Sequence, residues 1–275
     1  SVTIPYLDYR KVYYNNYIFR EATRYGDYYL SPINFTEIEI VYYAGEVKED
    51  LIPNTYVLEK EYKVTRIGEN AFRDTVKNGL AIELVMPDNV REICDYAFNG
   101  FGTISKLDLN NVKRVGKYAF QNIDYTFTVI DAPNLTQLWD YAFEGLALVT
   151  EINFPNIYHI GEYAISGMRS LERVYAPKLQ HLSNGSLVNN DSLVEIVLGP
   201  VVECGSFTIT APKKARVWDF THSEIDFETG LVRVVEPHFG TAWNTNTKAI
   251  DTVYCNMDVV EYFRSKLLNA TVIGR

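Results

Sequence analysis

Apolar and polar positions repeat along the middle of the chain with a nearly constant spacing. One marker is the alanine of a Tyr-Ala-Phe-like segment. It falls at residues 71, 97, 119, 142 and 164, becomes serine at 186, and gives steps of 26, 22, 23, 22 and 22. A second marker, the last apolar residue of a short extended segment, falls at residues 86, 109, 132, 154, 176 and 198. Two markers with one period predict a solenoid of stacked coils instead of a globular core.

Within one period, the pattern predicts a short strand, a turn, a second extended piece and a compact bend. In the copy around Leu171, the sequence RVYA at 173–176 alternates between polar and apolar residues, which is the pattern of a strand with one buried face. Proline then ends the strand in four copies, at 87, 133, 155 and 177. Glycines at 68, 116 and 161 are expected to permit the bend. The Ala-Phe pair, with a further apolar residue three positions later, predicts one helical turn.

The repeat unit resembles the BspA-like leucine-rich repeat family, on the strength of L-x-x-V-x-A-P-x-L at 171–179 and I-G-x-x-A at 160–164. YKVTRIGENAF at 62–72 is similar to that family's usual entry into its first repeat. The resemblance implies a mainly β, right-handed leucine-rich-repeat solenoid of coils of 22 to 23 residues with short helical turns. Three departures stand out: a loop insertion near 75–81, the loss of the Ala-Phe pair in the copy at 182–187, and the absence of a cysteine after phenylalanine.

The terminal coils of a solenoid must be covered, because they otherwise expose apolar surface and unpaired strand edges. Residues 1–60 are predicted to form an N-terminal β cap, with strands in KVYYNNYIF at 11–19 and TEIEIVYYAG at 36–45. The repeats span residues 61–210, and residues 211–275 are predicted to form irregular terminal coils and a C-terminal strand-helix cap. Three strands are expected there, in ARVWDF, LVRVVEP and IDTVYCN. The helix is expected in MDVVEYFRSKLLN, with Asn256 or Asp258 as its N-cap and with Val260, Phe263 and Leu267 on one face.

Composition narrows the functional classes. A net charge of -9 disfavours nucleic-acid binding, which needs clustered basic residues. No apolar run reaches the length of a membrane span, and the start SVTIPYLDYR has no signal-peptide pattern, so an exported form is expected to have a leader that is missing from this sequence. The three cysteines, Cys94, Cys204 and Cys255, are too few and too scattered for a disulfide framework or a metal motif.

No catalytic motif is present in the sequence. It contains no G-x-S-x-G, no glycine-rich phosphate loop and no H-E-x-x-H. The prediction is therefore a protein without catalytic residues, cofactor or metal. A carbohydrate-active enzyme remains an alternative, and it requires a pair of carboxylates across a groove, which the sequence does not single out.

The candidate binding residues are four tyrosines that each precede the alanine of the repeat. We call Tyr96, Tyr118, Tyr141 and Tyr163 the tyrosine column. Stacked coils bring them together along one edge, where exposed rings are able to stack on sugar rings or anchor a partner protein. The alternative is a structural role, in which neighbouring rings shield the turn backbone and stabilise the stack.

Two other columns contain residues of the types that bind metal ions. His159 and His181 are 22 positions apart and are expected to lie in adjacent coils, where they form either a metal site or part of a solvated face. Asp108, Asp131 and Asn153 form a column of oxygens beside the strands, which is either a cation site or a solvated face.

The leading expectation for function combines the fold with the family resemblance. Stacked coils offer an extended surface, and BspA-like repeats are associated with cell-surface adhesion. We expect a secreted or cell-surface protein, without a membrane span in this chain, that binds a protein or glycan partner. The alternative is a structural spacer or assembly subunit of a larger surface protein.

Overall fold

The computed structural model describes residues 22–73 and 75–199, together with 203–204, 217–219, 252–255, 257, 260–266 and 270–274. They fall into two compact units, divided between Thr126 and Phe127. The strands predicted at 11–19 and 231–237 and the two candidate helix caps lie outside the described residues. So do Leu267 and the side chain of Phe263.

Within residues 22–73 and 75–126, unit 1 has ten strands. Their bounds are β1 Thr23–Tyr25, β2 Tyr28–Pro32, β3 Glu37–Tyr43, β4 Thr55–Val57, β5 Glu61–Ile67, β6 Ala81–Val85, β7 Glu92–Ile93, β8 Thr103–Asp108, β9 Arg114–Val115 and β10 Asp124–Tyr125.

The strands of unit 1 change from antiparallel to parallel pairing where the repeats begin. Strands β1, β2 and β3 form an antiparallel meander, and β4 lies antiparallel to β5. From β3 onward the sheet is parallel, in the order β3-β5-β7-β9, and a second parallel sheet has the order β6-β8-β10. The antiparallel strands precede the first coil, as the sequence predicts for an N-terminal cap.

The described residues of unit 2 form eleven strands and one helix. Their bounds are β11 Val129–Asp131, β12 Gln137–Leu138, β13 Glu151–Asn153, β14 His159–Ile160, β15 Arg173–Ala176, β16 His181–Leu182, β17 Glu195–Leu198, β18 Glu203–Cys204, β19 Val217–Asp219, β20 Thr252–Cys255, α1 Val260–Lys266 and β21 Thr271–Gly274.

Two parallel sheets run through unit 2, each with one strand per coil. One has the order β12-β14-β16-β18, and the other has the order β11-β13-β15-β17-β19-β20-β21. Partners lie one repeat apart, so that Ile152 pairs with Ile130 on one side and with Val174 on the other. Strand β20 and α1 lie at the predicted strand and helix, whereas β21, which follows α1 and pairs parallel with β20, is a further strand that was not predicted.

Like residues stack in the core, as a shared cross-section requires. In unit 1 the buried rings of Phe72, Phe98 and Phe120 stack nearly parallel, with centroids 5.0 and 5.3 Å apart. In unit 2, Ile130, Ile152, Val174 and Ile196 form an equivalent aliphatic column that is at least 99% buried. Each coil thus buries the apolar residues of its neighbour, and the prediction of a mainly β solenoid is confirmed.

The compact bend consists of tight turns that are bonded to the next coil. Around Phe98, amide groups donate to carbonyls three residues back, from Ala97 to Cys94 and from Phe101 to Phe98, as in a 3₁₀ turn. The Phe98 amide itself donates to the carbonyl of Ala119 in the next coil at 2.9 Å. The residue directly before Ala97 has a positive φ, which does not fit a right-handed helix. The predicted helical turn therefore does not extend before Ala97.

Glycine before the bend serves close approach between coils, and not an unusual φ. Gly161 has no positive φ. However, a Cβ atom placed on it would lie 2.5 Å from Oδ1 of Asp140 and 2.6 Å from its backbone nitrogen. That carboxylate accepts a hydrogen bond from the amide of Glu162 at 2.9 Å. The predicted reason for glycine at this position, freedom to bend, is therefore wrong. The residue must be small because the preceding coil lies against it.

Candidate binding site: the tyrosine column

Each residue of the tyrosine column has a left-handed backbone. The φ angles of Tyr96, Tyr118, Tyr141 and Tyr163 are 57°, 56°, 58° and 53°. The same position is occupied by Asn70 in the first coil and by Gly185 in the sixth, with φ of 57° and 63°. Asparagine and glycine are the residues that tolerate this region best, whereas a bulky side chain there is an outlier.

A second left-handed column lies four residues further on and follows the ordinary preference. Its described members are Gly100, Asn122, Gly145, Gly167 and Asn189. Tyrosine is thus retained in the first column although the fold uses glycine and asparagine for the same backbone conformation nearby. The ring itself is the reason for its presence.

The free-energy cost of the backbone is of the same size as the gain from the ring. A left-handed tyrosine costs roughly 1–2 kcal/mol. Burial of half a ring, about 100 Å², contributes about 2 kcal/mol, and ring stacking adds about 1 kcal/mol per pair. The ring contacts therefore offset the cost of the left-handed backbone.

In unit 1 the rings of Tyr96 and Tyr118 form the unit 1 stack. Their centroids are 4.9 Å apart and their planes are inclined by 13°. The guanidinium of Arg73 lies 5.2 Å from the Tyr96 centroid in a cation–π contact, and its NH1 group donates to Oδ1 of Asn70 at 3.1 Å. Arginine thus occupies the place of a ring in the coil that has asparagine in the column.

In unit 2 the rings of Tyr141 and Tyr163 form the unit 2 stack, with centroids 5.2 Å apart and an interplanar angle of 17°. Gly185 lies against the Tyr163 ring, because a Cβ atom on Gly185 would be 2.5 Å from its Cε1 atom. Glycine at this position therefore accommodates both the left-handed backbone and the neighbouring ring. The sequence brings these tyrosines to one edge, and the structure places them in contact.

All four tyrosines are accessible to solvent. Tyr163 is 37% exposed, and the other three are partly exposed. Partial burial is the main cause that raises the pKa of Tyr96 above its ordinary value, with Tyr118 as the next cause. The phenol is therefore a neutral hydrogen-bond donor and acceptor at neutral pH.

Replacement of Gly185 by alanine is expected to destabilise unit 2 by about 2 kcal/mol, since it combines left-handed strain with a clash against the Tyr163 ring. Gly145→Ala is the matched control: Gly145 has φ of 77°, but a Cβ atom added to it would meet no other atom within 4 Å, so only the strain of about 1 kcal/mol applies. Urea unfolding of both variants measures the difference. Equal losses would show that the ring does not press on Gly185.

The two histidines lie in adjacent coils as predicted, but with an aromatic neighbour. His159 pairs with His181 across β14 and β16, and the ring centroids are 6.3 Å apart. The Trp139 ring is closer to His159, at 4.7 Å. Among the described residues, no group of three or more His, Cys, Asp or Glu side chains is arranged to hold a metal ion.

The pKa of His159 is lowered, first by burial and then by His181, while Asp140 acts in the opposite direction. The unfolded chain therefore takes up a proton at a higher pH than the folded protein, and stability is lost as the pH falls below about 6.5. We expect His159→Gln, which copies Gln137 of the preceding coil, to lose less stability than the natural protein between about pH 7.5 and 5.5. Urea unfolding at each pH measures this slope, and identical slopes would contradict the assignment to His159.

The column of oxygens beside the strands is used in bonding within the fold. Asp131 accepts a hydrogen bond from the Asn153 amide group at 2.9 Å, one coil away. Asp108 accepts from the backbone amide of Asn110 at 3.0 Å and lies 3.8 Å from Lys106. These contacts fit a solvated face that links coils.

Two residues of the candidate site were not singled out by the sequence: Arg73 and Gly185. The signal for both was present in the tyrosine column itself. Asn70 and Gly185 share the column with the tyrosines, and a position shared by asparagine, glycine and an aromatic residue indicates a left-handed backbone. Arg73 belongs to the first coil, which has no ring of its own to stack.

Stacked parallel strands with one strand per sheet in each coil, and tight turns between them, define a solenoid repeat protein of the leucine-rich class. Residues 65–194 match, in six copies, the family described as the BspA type leucine rich repeat region. Residues 65–194 are therefore a BspA-type leucine-rich repeat region, and the resemblance seen in the sequence is confirmed.

One solved structure supports the same fold, and two others are similar over most of the chain with lower TM-scores. A leucine-rich repeat protein from Bacteroides ovatus matches 94% of this chain and 76% of its own, with 17% identity and a TM-score of 0.50. The pneumococcal vaccine antigen PcpA matches 93% of this chain and 99% of its own, with 11% identity and a TM-score of 0.39. A leucine rich cell surface protein from Faecalibacterium prausnitzii matches 92% of this chain and 94% of its own, with 14% identity and a TM-score of 0.34. No curated protein matches significantly. In the part of the chain that the structure describes, no helix is long and apolar enough to cross a bilayer.

Proposed function

We propose that this is a non-enzymatic, secreted or cell-surface repeat protein that binds a protein or glycan partner through the tyrosine column. The observation that carries the proposal is the retention of tyrosine at four left-handed positions where Asn70 and Gly185 show that smaller residues fit. The BspA-type repeat region supports a binding role, and an extended repeat surface suits one.

The test removes rings without disturbing the backbone. Asparagine is already present at the column position in the first coil, so Tyr96→Asn combined with Tyr118→Asn retains a residue that accepts positive φ. We expect the double variant to lose about ten-fold or more in retention on arrays of surface proteins and glycans, since two ring contacts contribute about 1 kcal/mol each. Tyr175→Ser is the control, because Tyr175 is 42% exposed on strand β15, away from the column.

A structural spacer is the second candidate function, and the ring stacking at 4.9 and 5.2 Å favours it. In that case the rings serve only the coils. The Tyr96 and Tyr118 double variant would then unfold at a lower temperature or urea concentration while every array signal stays unchanged. Loss of the ring contacts lowers stability in either case, so the array signal is the measurement that separates the two functions.

A further inference from the structure

One ring in each stack, Tyr96 in unit 1 and Tyr163 in unit 2, has a neighbour on either side. Tyr96 has Tyr118 on one face and the Arg73 guanidinium on the other, at 4.9 and 5.2 Å. Tyr163 has Tyr141 on one face, at 5.2 Å, and the backbone of Gly185 against its ring. What these rings present outward is therefore their edges and phenolic oxygens.

This geometry discriminates between ligand classes. An aromatic ring is negative on its face and positive at its edge. The C–H groups of a sugar ring, which are weakly positive, are attracted to a ring face, and Tyr96 and Tyr163 have none to offer. Peptide carbonyl oxygens are attracted to a positive ring edge, and peptide N–H and C=O groups are partners for a tyrosine hydroxyl.

The charged side chains beside the unit 2 stack indicate which kind of peptide it would attract. Asp140 and Glu162 immediately precede the two stacked tyrosines, and Glu144 follows Tyr141 by three positions. All three are partly exposed, and the equivalent positions in the next two coils carry no lysine or arginine. Unit 1 differs, since Arg73 and Lys117 lie at those positions there. The unit 2 stack is thus the more acidic surface, on a chain of net charge -9.

We propose that the unit 2 stack binds a basic polypeptide segment edge-on, through the Tyr141 and Tyr163 hydroxyls and ring edges, with the flanking carboxylates attracting lysine or arginine side chains. This inference rests on the proposed binding role of the tyrosine column, and it names the partner class. Coulomb attraction between partly exposed groups is screened by salt, so the retention should weaken at roughly 0.5 M salt.

The experiment presents the full chain with immobilised synthetic peptides of basic, neutral and acidic composition beside a glycan array. Tyr141→Asn combined with Tyr163→Asn should lower retention on the basic peptides about ten-fold, while Tyr175→Ser leaves it unchanged. A second variant pair, Tyr141→Phe with Tyr163→Phe, keeps the stack and removes only the hydroxyls, and should lower retention about five-fold at an unchanged melting temperature.

Each outcome decides between the proposals. Retention of glycans or acidic peptides that depends on these tyrosines overturns the inference and leaves the proposed binding function standing. Retention that depends on Tyr141 and Tyr163 in no series overturns the inference, and the Tyr96 and Tyr118 double variant then decides the proposed function by itself. If the double asparagine variant fails to fold, the double phenylalanine variant tests the inference instead. Retention of basic peptides at the level of the unchanged protein by the phenylalanine variant would overturn recognition through the hydroxyl groups.

Discussion

Replacement of Ile152 by aspartate is expected to destabilise unit 2 by about 5 kcal/mol and to abolish its cooperative unfolding transition. Ile152 has no exposed surface and lies between Ile130 and Val174 in the central aliphatic column. The substitution removes a buried side chain and places an unpaired carboxylate between two apolar neighbours, each of which has a large cost. A loss of this size is a large fraction of the stability of an ordinary domain.

The matched control places the same carboxylate on the outer face of the sheet. Tyr175 lies on the neighbouring strand, points outward and is 42% exposed, so Tyr175→Asp is expected to cost less than about 1 kcal/mol. Circular dichroism during urea and thermal unfolding measures both variants. Similar behaviour of the two variants would mean that the assigned coil register is wrong.

Replacement of Asn190 by alanine is expected to cost about 3 kcal/mol. Asn190 is 1% exposed and makes three hydrogen bonds to backbone groups. Its Oδ1 accepts from the Met168 amide at 2.9 Å, and its Nδ2 group donates to the Ile165 carbonyl at 2.9 Å and to the Leu187 carbonyl at 3.1 Å. Alanine would leave these buried groups without the side-chain partner, which costs more than the hydrogen bonds contribute when formed.

Two further variants separate hydrogen bonding from volume. Asp191→Ala changes the next residue, which is exposed, and should leave the free energy of unfolding within about 0.5 kcal/mol of its natural value. Asn190→Leu restores an apolar side chain like Leu146 and Met168 at the same repeat position, but it satisfies none of the three groups. A leucine variant as stable as the natural protein would show that volume, and not hydrogen bonding, decides this position.

The sixth coil explains why a degraded repeat still stacks. Ser186 replaces the repeat alanine and donates to the Gly161 carbonyl of the preceding coil at 2.9 Å. Asn190 replaces an apolar residue and bonds the same preceding coil. In this coil the two polar residues enter the core where backbone groups of the neighbouring coil receive them, as burial of polar atoms requires. The loss of the Ala-Phe pattern at 182–187 therefore does not interrupt the solenoid.

The sequence by itself determined the coil, because a period of about 22 residues in two independent markers has one physical solution, the stacking of like residues. Strand positions followed from alternation, as at 173–176, and the adjacency of His159 and His181 followed from their spacing. The antiparallel cap strand β3 was likewise predicted from its alternating residues.

Only the tertiary structure decided which contacts the rings of the tyrosine column make. Asn70 and Gly185 in the same column indicate a left-handed backbone, but the sequence does not give the φ of 56° at Tyr118. Spacing placed the rings on one edge, but it did not say that they lie face to face or that Arg73 and Gly185 cover the outer faces of Tyr96 and Tyr163. Likewise, the small size of Gly161 reflects the Asp140 carboxylate of the preceding coil. Contacts between coils depend on residues about 22 positions apart, and local propensity carries no information about them.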